Sequence, residues 1–358
     1  MVIIIFASWH TTSMSPSIGN LLFSLSMFFT AVIVTALVAK PFINLAHRLK
    51  IIDVPGSSAH KKHKTPTPKA GGMILVTALF FVWIVFGWAY SQEVQGILMS
   101  ALIVFVFGLV DDIRGMNVFG KFAGQLLAVV VMIYFGVRVS AFSLAGTEVD
   151  EILNLAITVF WVVGITNAIN LVDSADSLAI SLTLVTLIFL LLGSIIAGQE
   201  QLSFQATALL GTCLVLIYFN LAPARLFLGD SGTQTIGFLL ASLSILYNPV
   251  VQPQASSWFV PITFLAVPIF DVCLVFFSRL RRGIPFYRSD TNHTYHRLVA
   301  RGFPPSRAVW LMDLAGATVG MLGLFALYQD PLVANAIFAG LLIIGLFAFF
   351  VLEKERAL

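Results

Sequence analysis

Long apolar runs constrain this chain more than any other feature. A helix needs about 20 apolar residues to cross the hydrocarbon core of a bilayer, and about eleven stretches of the sequence approach or exceed that length. The sequence therefore predicts an all-α polytopic membrane protein with about eleven transmembrane helices. The predicted spans are 21–46, 72–90, 95–111, 122–140, 152–168, 178–197, 203–219, 232–248, 257–279, 308–328 and 332–352.

The composition excludes a soluble protein. Hydrophobic residues make up 59% of the 358 residues and charged residues only 10%, whereas charged residues are about a quarter of a soluble domain. No segment between the spans is long enough for a separate soluble unit, so residues 1–358 are interpreted as one integral membrane domain. Residues 1–20 lack a basic segment and a cleavage site, and we expect no signal peptide there.

The basic residues indicate the orientation of the chain. All of the 20 Lys and Arg residues except Arg138 fall on one side of the eleven predicted spans, and by the positive-inside rule that side faces the cytoplasm. The sequence thus predicts a multi-pass protein of the inner (plasma) membrane with its N-terminus outside and its C-terminus in the cytoplasm. Topology and attraction to anionic lipids explain most of this asymmetry, but they do not explain why acidic residues are mixed among the bases.

A polar stretch between two apolar runs carries Asn167, Asn170, Asp173 and Asp176, each three residues apart. At 3.6 residues per turn a continuous helix would aim the first and the last of them at opposite sides. A helix that ends near Asp173, followed by a new helix near Asp176, would let all four converge. The alternative is that Asp176 only caps the second helix, with Ser177 assisting.

Two further acidic motifs stand at predicted helix ends. Asp111 and Asp112 close the third span, and adjacent carboxylates repel each other, which favours a shared cation or a raised pKa on one of them. Asp230 lies in the run Gly-Asp-Ser-Gly at 229–232, where the eighth span begins. The alternatives are a solvated pair at the membrane surface for the first motif and a helix N-cap for the second.

Basic side chains in two loops suit a phosphorylated ligand. Lys61 and Lys69 lie in the first cytoplasmic loop, and Gly71 and Gly72 follow them and expose backbone amides. Arg225, just before the eighth span, carries the planar fork that holds phosphate oxygens. The alternative for the first loop is a basic segment that serves topology alone.

The last long cytoplasmic loop sets His293 and His296 three residues apart, with Arg297 next to them. No cysteine or third histidine stands nearby to complete a zinc site, so we favour contacts with an anionic substrate. Asp271, inside the ninth span, is expected to be buried and paired with an arginine of this loop.

Under this topology five carboxylates, at positions 111, 112, 173, 176 and 230, reach the inner membrane boundary. Mg²⁺ takes one or two protein carboxylates and completes its octahedron with phosphate and water, and nearby cations neutralise phosphate oxygens during transfer. The arrangement predicts a divalent metal and a phosphorylated substrate, and its place at the boundary implies that one reactant is a lipid.

Four ordered motifs on cytoplasmic loops resemble those of the polyprenyl-phosphate N-acetylhexosamine-1-phosphate transferases of glycosyltransferase family 4, which are related to the phospho-MurNAc-pentapeptide translocase. The resemblance covers nearly the whole chain, from the Pro-x-Pro-x-x-Gly-Gly loop at 66–72 to 298. The motifs are Asp111-Asp112, Asn167-x-x-Asn170-x-x-Asp173-x-x-Asp176, Gly229-Asp230-Ser231-Gly232 and His293-x-x-His296-Arg297-Leu298.

The resemblance implies that a lipid phosphate attacks the β-phosphorus of a UDP-sugar and releases UMP. Asp111 would be the base or the acid that orients the phosphate, and Asp230 a ligand of Mg²⁺, with Mn²⁺ as an alternative. The implied catalytic residues are Asp111, Asp112, Asp173 and Asp176; the metal ligands are Asp230 and Asn170; the substrate-binding residues are Lys61, Lys69, Asn167, Arg225, His293, His296 and Arg297. The expected partners are a UDP-sugar and a polyprenyl phosphate, without nucleic acid, and a homodimer is an open alternative to a monomer.

Three positions depart from the family pattern. Ser174 and Ser177 replace glycines of the central motif, and Tyr295 replaces a histidine. Serine tolerates a left-handed backbone less well, by roughly 1 kcal/mol or more, so the turn is expected to be reshaped and the donor preference altered. The lack of a long pentapeptide-binding insertion favours GlcNAc-1-phosphate as the transferred group.

Two other functions stay open on the residues alone. Gly229-Asp230 together with Asp111 and Asp112 superficially fits an intramembrane aspartyl protease, which would not need basic phosphate-binding loops. A transporter of an anionic metabolite would place charges near the bilayer midplane, whereas the charges here gather at one edge.

Overall fold

A computed structural model describes residues 16–55, 65–87, 92–140, 148–249, 259–285 and 292–354. Within these ranges the chain forms thirteen helices and one two-stranded antiparallel sheet. The elements are α1 (Pro16–Arg48), β1 (Ile52–Asp53), β2 (Thr67–Pro68), α2 (Gly71–Val85), α3 (Gln92–Arg114), α4 (Val118–Tyr134), α5 (Glu148–Val172), α6 (Leu178–Ile196), α7 (Glu200–Asn220), α8 (Gly229–Leu246), α9 (Val260–Phe264), α10 (Ala266–Arg281), α11 (Thr294–Ala300), α12 (Pro305–Leu327) and α13 (Pro331–Lys354).

The predicted all-α polytopic architecture is confirmed. Every predicted span has its centre on a helix, and the ninth is divided at Leu265 into α9 and α10. Among the described residues seven helices are long and apolar enough to cross a membrane, namely α1, α3, α5, α6, α7, α12 and α13, and α2 and α4 are shorter apolar helices. The count of eleven crossings therefore stays a prediction.

Helix α8 lies at the centre of the bundle, where it packs most extensively against α3 and α5 and also contacts α2. Polar residues such as Ser231 and Gln234 are buried in it because neighbouring helices approach closely. Gly72 of α2 and Gly108 of α3 both stand against Ser231, so close that a Cβ atom at either position would overlap it. These small residues set the start of α8 against two other helices.

We expect Gly108→Ala to destabilise the protein. The new Cβ would lie 2.6 Å from Cα of Ser231 and 2.9 Å from the carbonyl oxygen of Asp230, and such overpacking costs about 1–3 kcal/mol. The thermal unfolding midpoint of the purified protein in detergent measures the effect. Gly164→Ala is the matched control, since nothing lies within 4 Å of a Cβ at that helical position, and equal midpoints for the two variants would contradict the prediction.

The small sheet ties the segment between α1 and α2 to the start of α8. Asp53 pairs with Thr67 across β1 and β2. Beyond β2 the backbone N–H of Phe227 donates to the Pro68 carbonyl (2.9 Å), and the N–H of Gly71 donates to the Phe227 carbonyl (3.1 Å). This pairing places Lys69 beside the segment that leads into α8.

The outer helices present apolar side chains at the surface. The most apolar part of α13 has no buried residue, and in α1 only 17% of the corresponding residues are buried. A soluble protein rarely exposes apolar patches of this extent, whereas a lipid-facing helix requires them.

Candidate active site

Ends of four helices meet at one end of the bundle. They are the C-terminal ends of α3 and α5, the N-terminal end of α4 and the N-terminal end of α8. The aspartates that gather there, called the acidic cluster below, are Asp111, Asp112, Asp173, Asp176 and Asp230. Each interacts electrostatically with at least one other member: Asp230 with Asp111, Asp112 and Asp173, and Asp173 also with Asp176.

Asp112 holds the N-terminus of α8 in place. Its carboxylate accepts hydrogen bonds from the backbone N–H groups of Asp230 (3.0 Å) and Ser231 (2.9 Å) and from the Ser231 hydroxyl (2.7 Å). Free N–H groups at a helix start need such acceptors. Lys69 Nζ lies 3.2 Å from the same carboxylate, whose side chain is fully buried. Gly229 makes the approach possible, because a Cβ there would lie 2.5 Å from Asp112 Oδ2.

Lys121 joins Asp111 to Asp230. Its ammonium group lies 2.5 Å from Asp111 Oδ2 and 3.0 Å from Asp230 Oδ1. The other oxygen of Asp111 accepts the backbone N–H of Met116 (2.6 Å). Two carboxylates that share one cation are an arrangement that neutralises their mutual repulsion.

Amide side chains extend this contact network into the bundle. Asn170 Nδ2 donates to Asp230 Oδ1 (2.9 Å) and to the Thr233 hydroxyl (2.7 Å), and Gln234 Nε2 lies 3.3 Å from the same aspartate oxygen. Gln125 then links Gln234 (3.1 Å) to Asn167, whose own Nδ2 donates to Gln125 Oε1 (2.7 Å). Asn167 thus contacts the site through a chain of amides.

The central polar stretch turns as the spacing predicted. Helix α5 ends at Val172 and α6 begins at Leu178, so residues 173–177 form the turn that lets the polar side chains converge. The alternative that Asp176 caps α6 is wrong, because the N-cap is Ser177, without a side-chain capping bond. Asp176 Oδ2 instead accepts the backbone N–H of Ala224 (3.1 Å).

Ser177 takes the left-handed backbone conformation itself, with φ of 68°. Its N–H donates to Asn220 Oδ1 (3.1 Å), and Asn220 Nδ2 donates to the Leu226 carbonyl (2.8 Å). The turn is therefore kept in the conformation that a glycine would adopt more easily, and the loop before α8 supports it.

Asp173 projects from this turn among the other acids. Removal from bulk water raises the pKa of its carboxyl, and the carboxylates of Asp230, Asp176 and Asp112 raise it further, to about 7. Asp173 is exposed in the structure, so repulsion by the three acids is the main cause of its raised pKa. The charge of the Asp173 carboxyl therefore changes near neutral pH.

We expect Asp173→Asn to stabilise the protein at pH 8 but not at pH 5. A carboxyl with a raised pKa adds stability at low pH and loses it as the pH rises through the raised value of about 7. The asparagine variant does not titrate, so its thermal midpoint should exceed that of the wild type increasingly from pH 5 to about pH 7 and by a nearly constant amount above it. A constant difference between the two proteins across this range would contradict the prediction.

The predicted cationic residues take different positions. Burial lowers the pKa of Lys69, but the carboxylates of Asp112, Asp230 and Asp53 outweigh this and raise it above its ordinary value, so Lys69 stays charged. Arg225 is exposed and lies over the Tyr218 ring at 4.4 Å, with one nitrogen donating to the Tyr218 carbonyl. Lys61 lies outside the described residues. The roles of these three in substrate binding stay predictions.

Residues 292–301, called the histidine loop below, dock on α10. His293 Nδ1 lies 2.8 Å from Asp271 Oδ2, and the Thr294 N–H donates to Asp271 Oδ1 (2.6 Å). The expectation that Asp271 is buried is correct, but its partner is a histidine and not an arginine. His296 packs its ring near that of His293, with centroids 6.2 Å apart.

Tyr295 and Arg297 of the histidine loop differ in environment. Burial raises the pKa of Tyr295, and the charge of Asp176 raises it further, which places the phenol close to the acidic cluster. Arg297 is buried, and its guanidinium bonds to the end of α13. Substrate contacts of His293, His296 and Arg297 stay predictions.

An apolar cavity of about 1090 Å³ opens beside the histidine loop, between α9, α10, α12 and α13. Most of its lining is aliphatic or aromatic, and its charged lining residues are Arg281 and Glu353. Thr294, which follows His293, also lines it. The cavity therefore joins a lipid-like interior to the loop that borders the acidic cluster.

The acidic cluster fits a magnesium ion in its donor chemistry. Asp111 and Asp230 already share one cation, the Lys121 ammonium, and the Asp230 side chain is 25% exposed. Among the described residues no group of three or more His, Cys, Asp or Glu side chains forms a metal-binding arrangement. Mg²⁺ needs only one or two protein carboxylates when phosphate and water supply the other ligands. Asn170 turns its amide nitrogen toward Asp230, so its predicted role as a metal ligand stays a prediction.

Sequence reasoning did not assign Lys121, Gln125 and Gln234 to the site. Lys121 follows Asp112 by nine residues and directly precedes the fourth predicted span. The two glutamines lie inside apolar spans, and polar side chains in such spans are usually functional or paired. That signal would have found them.

Comparison with known proteins finds one family model and several similar proteins. A family model described as glycosyl transferase family 4 matches residues 94–248. A phospho-N-acetylmuramoyl-pentapeptide-transferase of Heliobacterium modesticaldum is 30% identical over 319 residues, which are 82% of this chain and 96% of the relative. A probable undecaprenyl-phosphate N-acetylglucosaminyl 1-phosphate transferase of Bacillus subtilis is 29% identical over 294 residues, 80% of this chain and 81% of the relative. A decaprenyl-phosphate N-acetylglucosaminephosphotransferase of Mycobacterium tuberculosis is 28% identical over 347 residues, 88% and 85% of the two chains.

Proposed function

This chain belongs to glycosyl transferase family 4, and we propose that it transfers a HexNAc-1-phosphate, with GlcNAc-1-phosphate as the first candidate, from a UDP-sugar to a polyprenyl phosphate. Two of the relatives described above carry names that state an N-acetylglucosamine phosphate transfer to a polyprenyl phosphate. The observation that carries the proposal is the acidic cluster with two half-buried lysines, beside an apolar cavity. The product would start a lipid-linked glycan of the cell envelope.

The proposed reaction exchanges one phosphoanhydride bond for another. An oxygen of the lipid phosphate forms a bond to the β-phosphorus of the UDP-sugar, and the bond from that phosphorus to the bridging oxygen breaks. UMP leaves with the bridging oxygen, and the sugar phosphate stays on the lipid as a diphosphate. Because the second pKa of a phosphate monoester is about 6, the attacking oxygen is largely deprotonated at neutral pH.

The reaction must bring the anionic lipid phosphate close to the anionic diphosphate of the UDP-sugar. The site offers positive charge that offsets the repulsion between them. Lys121, beside Asp111 and Asp230, and Lys69, beside Asp112, would lie next to the phosphates and neutralise charge as the bonds exchange. Asp111 holds Lys121 at 2.5 Å. Lys121 contacts one oxygen of Asp111 and the Met116 N–H donates to the other, so we assign Asp111 to orienting the lysine and the acceptor phosphate.

Mg²⁺, with Mn²⁺ as an alternative, is the metal we propose, held by Asp230 with Asp111 and Asp173 as the neighbouring carboxylates. When bound it would supply further positive charge to the phosphate oxygens. Gln234, Asn170 and Lys121 would keep Asp230 in one orientation through their contacts to its Oδ1 atom.

The cavity beside the histidine loop suits the lipid acceptor. An isoprenoid chain needs an apolar surface that opens to the membrane, and the cavity is lined mainly by such side chains up to Thr294. With the basic residues on the cytoplasmic side, the reaction would take place at the inner face of the plasma membrane. The N-terminus would then lie outside and the C-terminus in the cytoplasm.

The proposal is tested by UMP release. The purified protein with Mg²⁺ should release UMP from a UDP-HexNAc only when polyprenyl phosphate is present, and a chelator should stop the reaction until Mg²⁺ is added back. A panel of UDP-HexNAc donors would identify the sugar, whose preference we expect to depend on Tyr295 and Ser177. Release without the lipid, or no release with any donor, would contradict the proposal. Light scattering of the same preparation tests the hypothesis of a homodimer.

The aspartyl protease and the transporter gain no support from the relatives described here, which are all named as transferases. The Lys121 ammonium also bridges Asp111 and Asp230, whereas an aspartyl dyad shares a proton between its two carboxylates.

A further inference from the structure

We propose that Glu353, near the end of the last helix, is a positioning residue for the histidine loop and thereby for binding of the UDP-sugar. The proposal rests on the function proposed above. It concerns a clamp, defined here as the contacts of Arg297 and Glu353, which joins two parts of the chain that are 56 residues apart.

The clamp is buried, and two hydrogen bonds from Arg297 Nη1 join it to α13. Arg297 Nη1 lies 2.5 Å from Glu353 Oε2 and donates to the Leu352 carbonyl at 3.0 Å. Only 3% of Arg297 and 6% of Glu353 are exposed. Removing one member of such a pair leaves the other charge buried without compensation, which disrupts local structure much more than loss of a surface ion pair.

Two more arginines gather at the same helix end. Arg281 Nη2 lies 3.2 Å from Glu353 Oε1, and Arg301 Nη2 donates to the Val351 carbonyl (2.8 Å). The last carbonyls of a helix lack partners within the helix and attract cations. The end of α13 is therefore held from α10, from the middle of α11 and from Arg301, the residue that follows α11.

The clamp supports the start of the histidine loop through a backbone carbonyl. Arg297 Nε donates to the carbonyl of Asn292 (2.9 Å), the residue directly before His293. His293 is fixed on the other side by Asp271 of α10. The loop is thus held between α10 and α13, and a change at Glu353 would release one of the two supports.

This geometry also assigns Arg297 a positioning role. Its side chain donates to the Asn292 carbonyl, the Leu352 carbonyl and the Glu353 carboxylate, so its guanidinium is directed to α13. Arg297 would then influence the substrate through the backbone of Asn292 and the ring of His293.

The test compares Glu353→Gln, Arg297→Gln and the double variant in the full-length protein. Because a displaced loop no longer contacts the donor correctly, we expect each single change to raise KM for the UDP-sugar about 10-fold, with KM for polyprenyl phosphate changed less than about 3-fold. The double variant should be no worse than Arg297→Gln alone, as for residues that act as one unit. Arg307→Gln, at an exposed position at the start of α12, is the matched control.

KM does not depend on how much of the protein is folded, so a purely structural role would leave it unchanged. An unchanged KM in Glu353→Gln, or effects of the two single changes that multiply in the double variant, would overturn the proposal. If Glu353→Gln does not fold, Glu353→Asp, which keeps the charge, should fold and show a smaller rise in KM. Failure of that variant to shift KM would also overturn the proposal.

Amide hydrogen exchange of residues 292–301 separates this inference from the proposed function. We expect faster exchange in Glu353→Gln than in the wild type or in Arg307→Gln, whatever reaction the protein catalyses. If the wild type is inactive but shows this exchange pattern, the proposed transferase function is refuted and the proposed clamp is supported. Equal exchange in all three proteins would refute the clamp.

Discussion

Replacing Asp230 with asparagine is expected to lower kcat for UMP release about 1,000-fold, the size of effect seen when one preorganised group that stabilises a transition state is lost. Asp230 is the residue at which the contacts of the site meet: Lys121, Asn170 and Gln234 all approach its Oδ1 atom within 3.3 Å. The change removes a negative charge that would hold the metal and balance Lys121. Asp111→Asn, which leaves Lys121 with one carboxylate, should have a similar effect.

The fold should survive the change at Asp230. An asparagine oxygen can still accept the bonds from Lys121 and Asn170, and the native side chain is already partly exposed. The measurement is UMP release by wild type and variant at saturating substrates, together with their thermal midpoints. Glu151→Gln, an exposed acid paired with Arg138 at the other end of the bundle, is the control and should keep full activity. Full activity in both Asp111→Asn and Asp230→Asn would exclude the roles assigned to these residues.

Replacing Asp112 with asparagine should instead reduce stability strongly. The carboxylate accepts three hydrogen bonds from the start of α8 and pairs with Lys69. An amide group has only one acceptor oxygen, so its NH₂ would face a backbone N–H, and the Lys69 ammonium would lose its buried partner. Breaking a fully buried charge pair costs about 3–5 kcal/mol, and because the Lys69 side chain is 24% exposed we expect a loss at the lower end of that range.

The unfolding midpoint in denaturant or on heating measures this loss, with Asp230→Asn as the comparison. Activity of Asp112→Asn should fall as well, because α8 carries Asp230 on its first turn. A variant that keeps wild-type stability but lacks activity would contradict the capping role and favour direct participation of Asp112 in the chemistry.

Much of the architecture could be predicted because it depends on local properties of the chain. Lipid offers no hydrogen-bond partners, so each long apolar run must form a helix, and run length and hydropathy can be read directly. The turn at 173–177 was predictable for a similar reason, since a three-residue spacing of polar groups serves one site only if the helix is interrupted. The break at Leu265 was missed, because the residues on both sides of it are apolar.

The acidic residues of the site were also predictable, since charges at the ends of apolar helices are costly and stand out. The group that each acid contacts could not be predicted. Asp111 and Asp112 are neighbours in sequence, yet one contacts Lys121 and the other caps α8. Adjacent residues of a helix point in directions about 100° apart, so their partners depend on which helices pack on each side.

The sequence by itself determined the membrane class, the helices and the set of acids at one boundary, because hydropathy, turn chemistry and charge cost act over a few residues. Only the tertiary structure decided the pairs: Asp112 with the start of α8, Asp271 with His293, and Arg297 with Glu353. These partners are 22 to 119 residues apart. They meet because close contacts at small residues such as Gly72 and Gly108 set how the helices pack, and that packing is a property of the whole bundle.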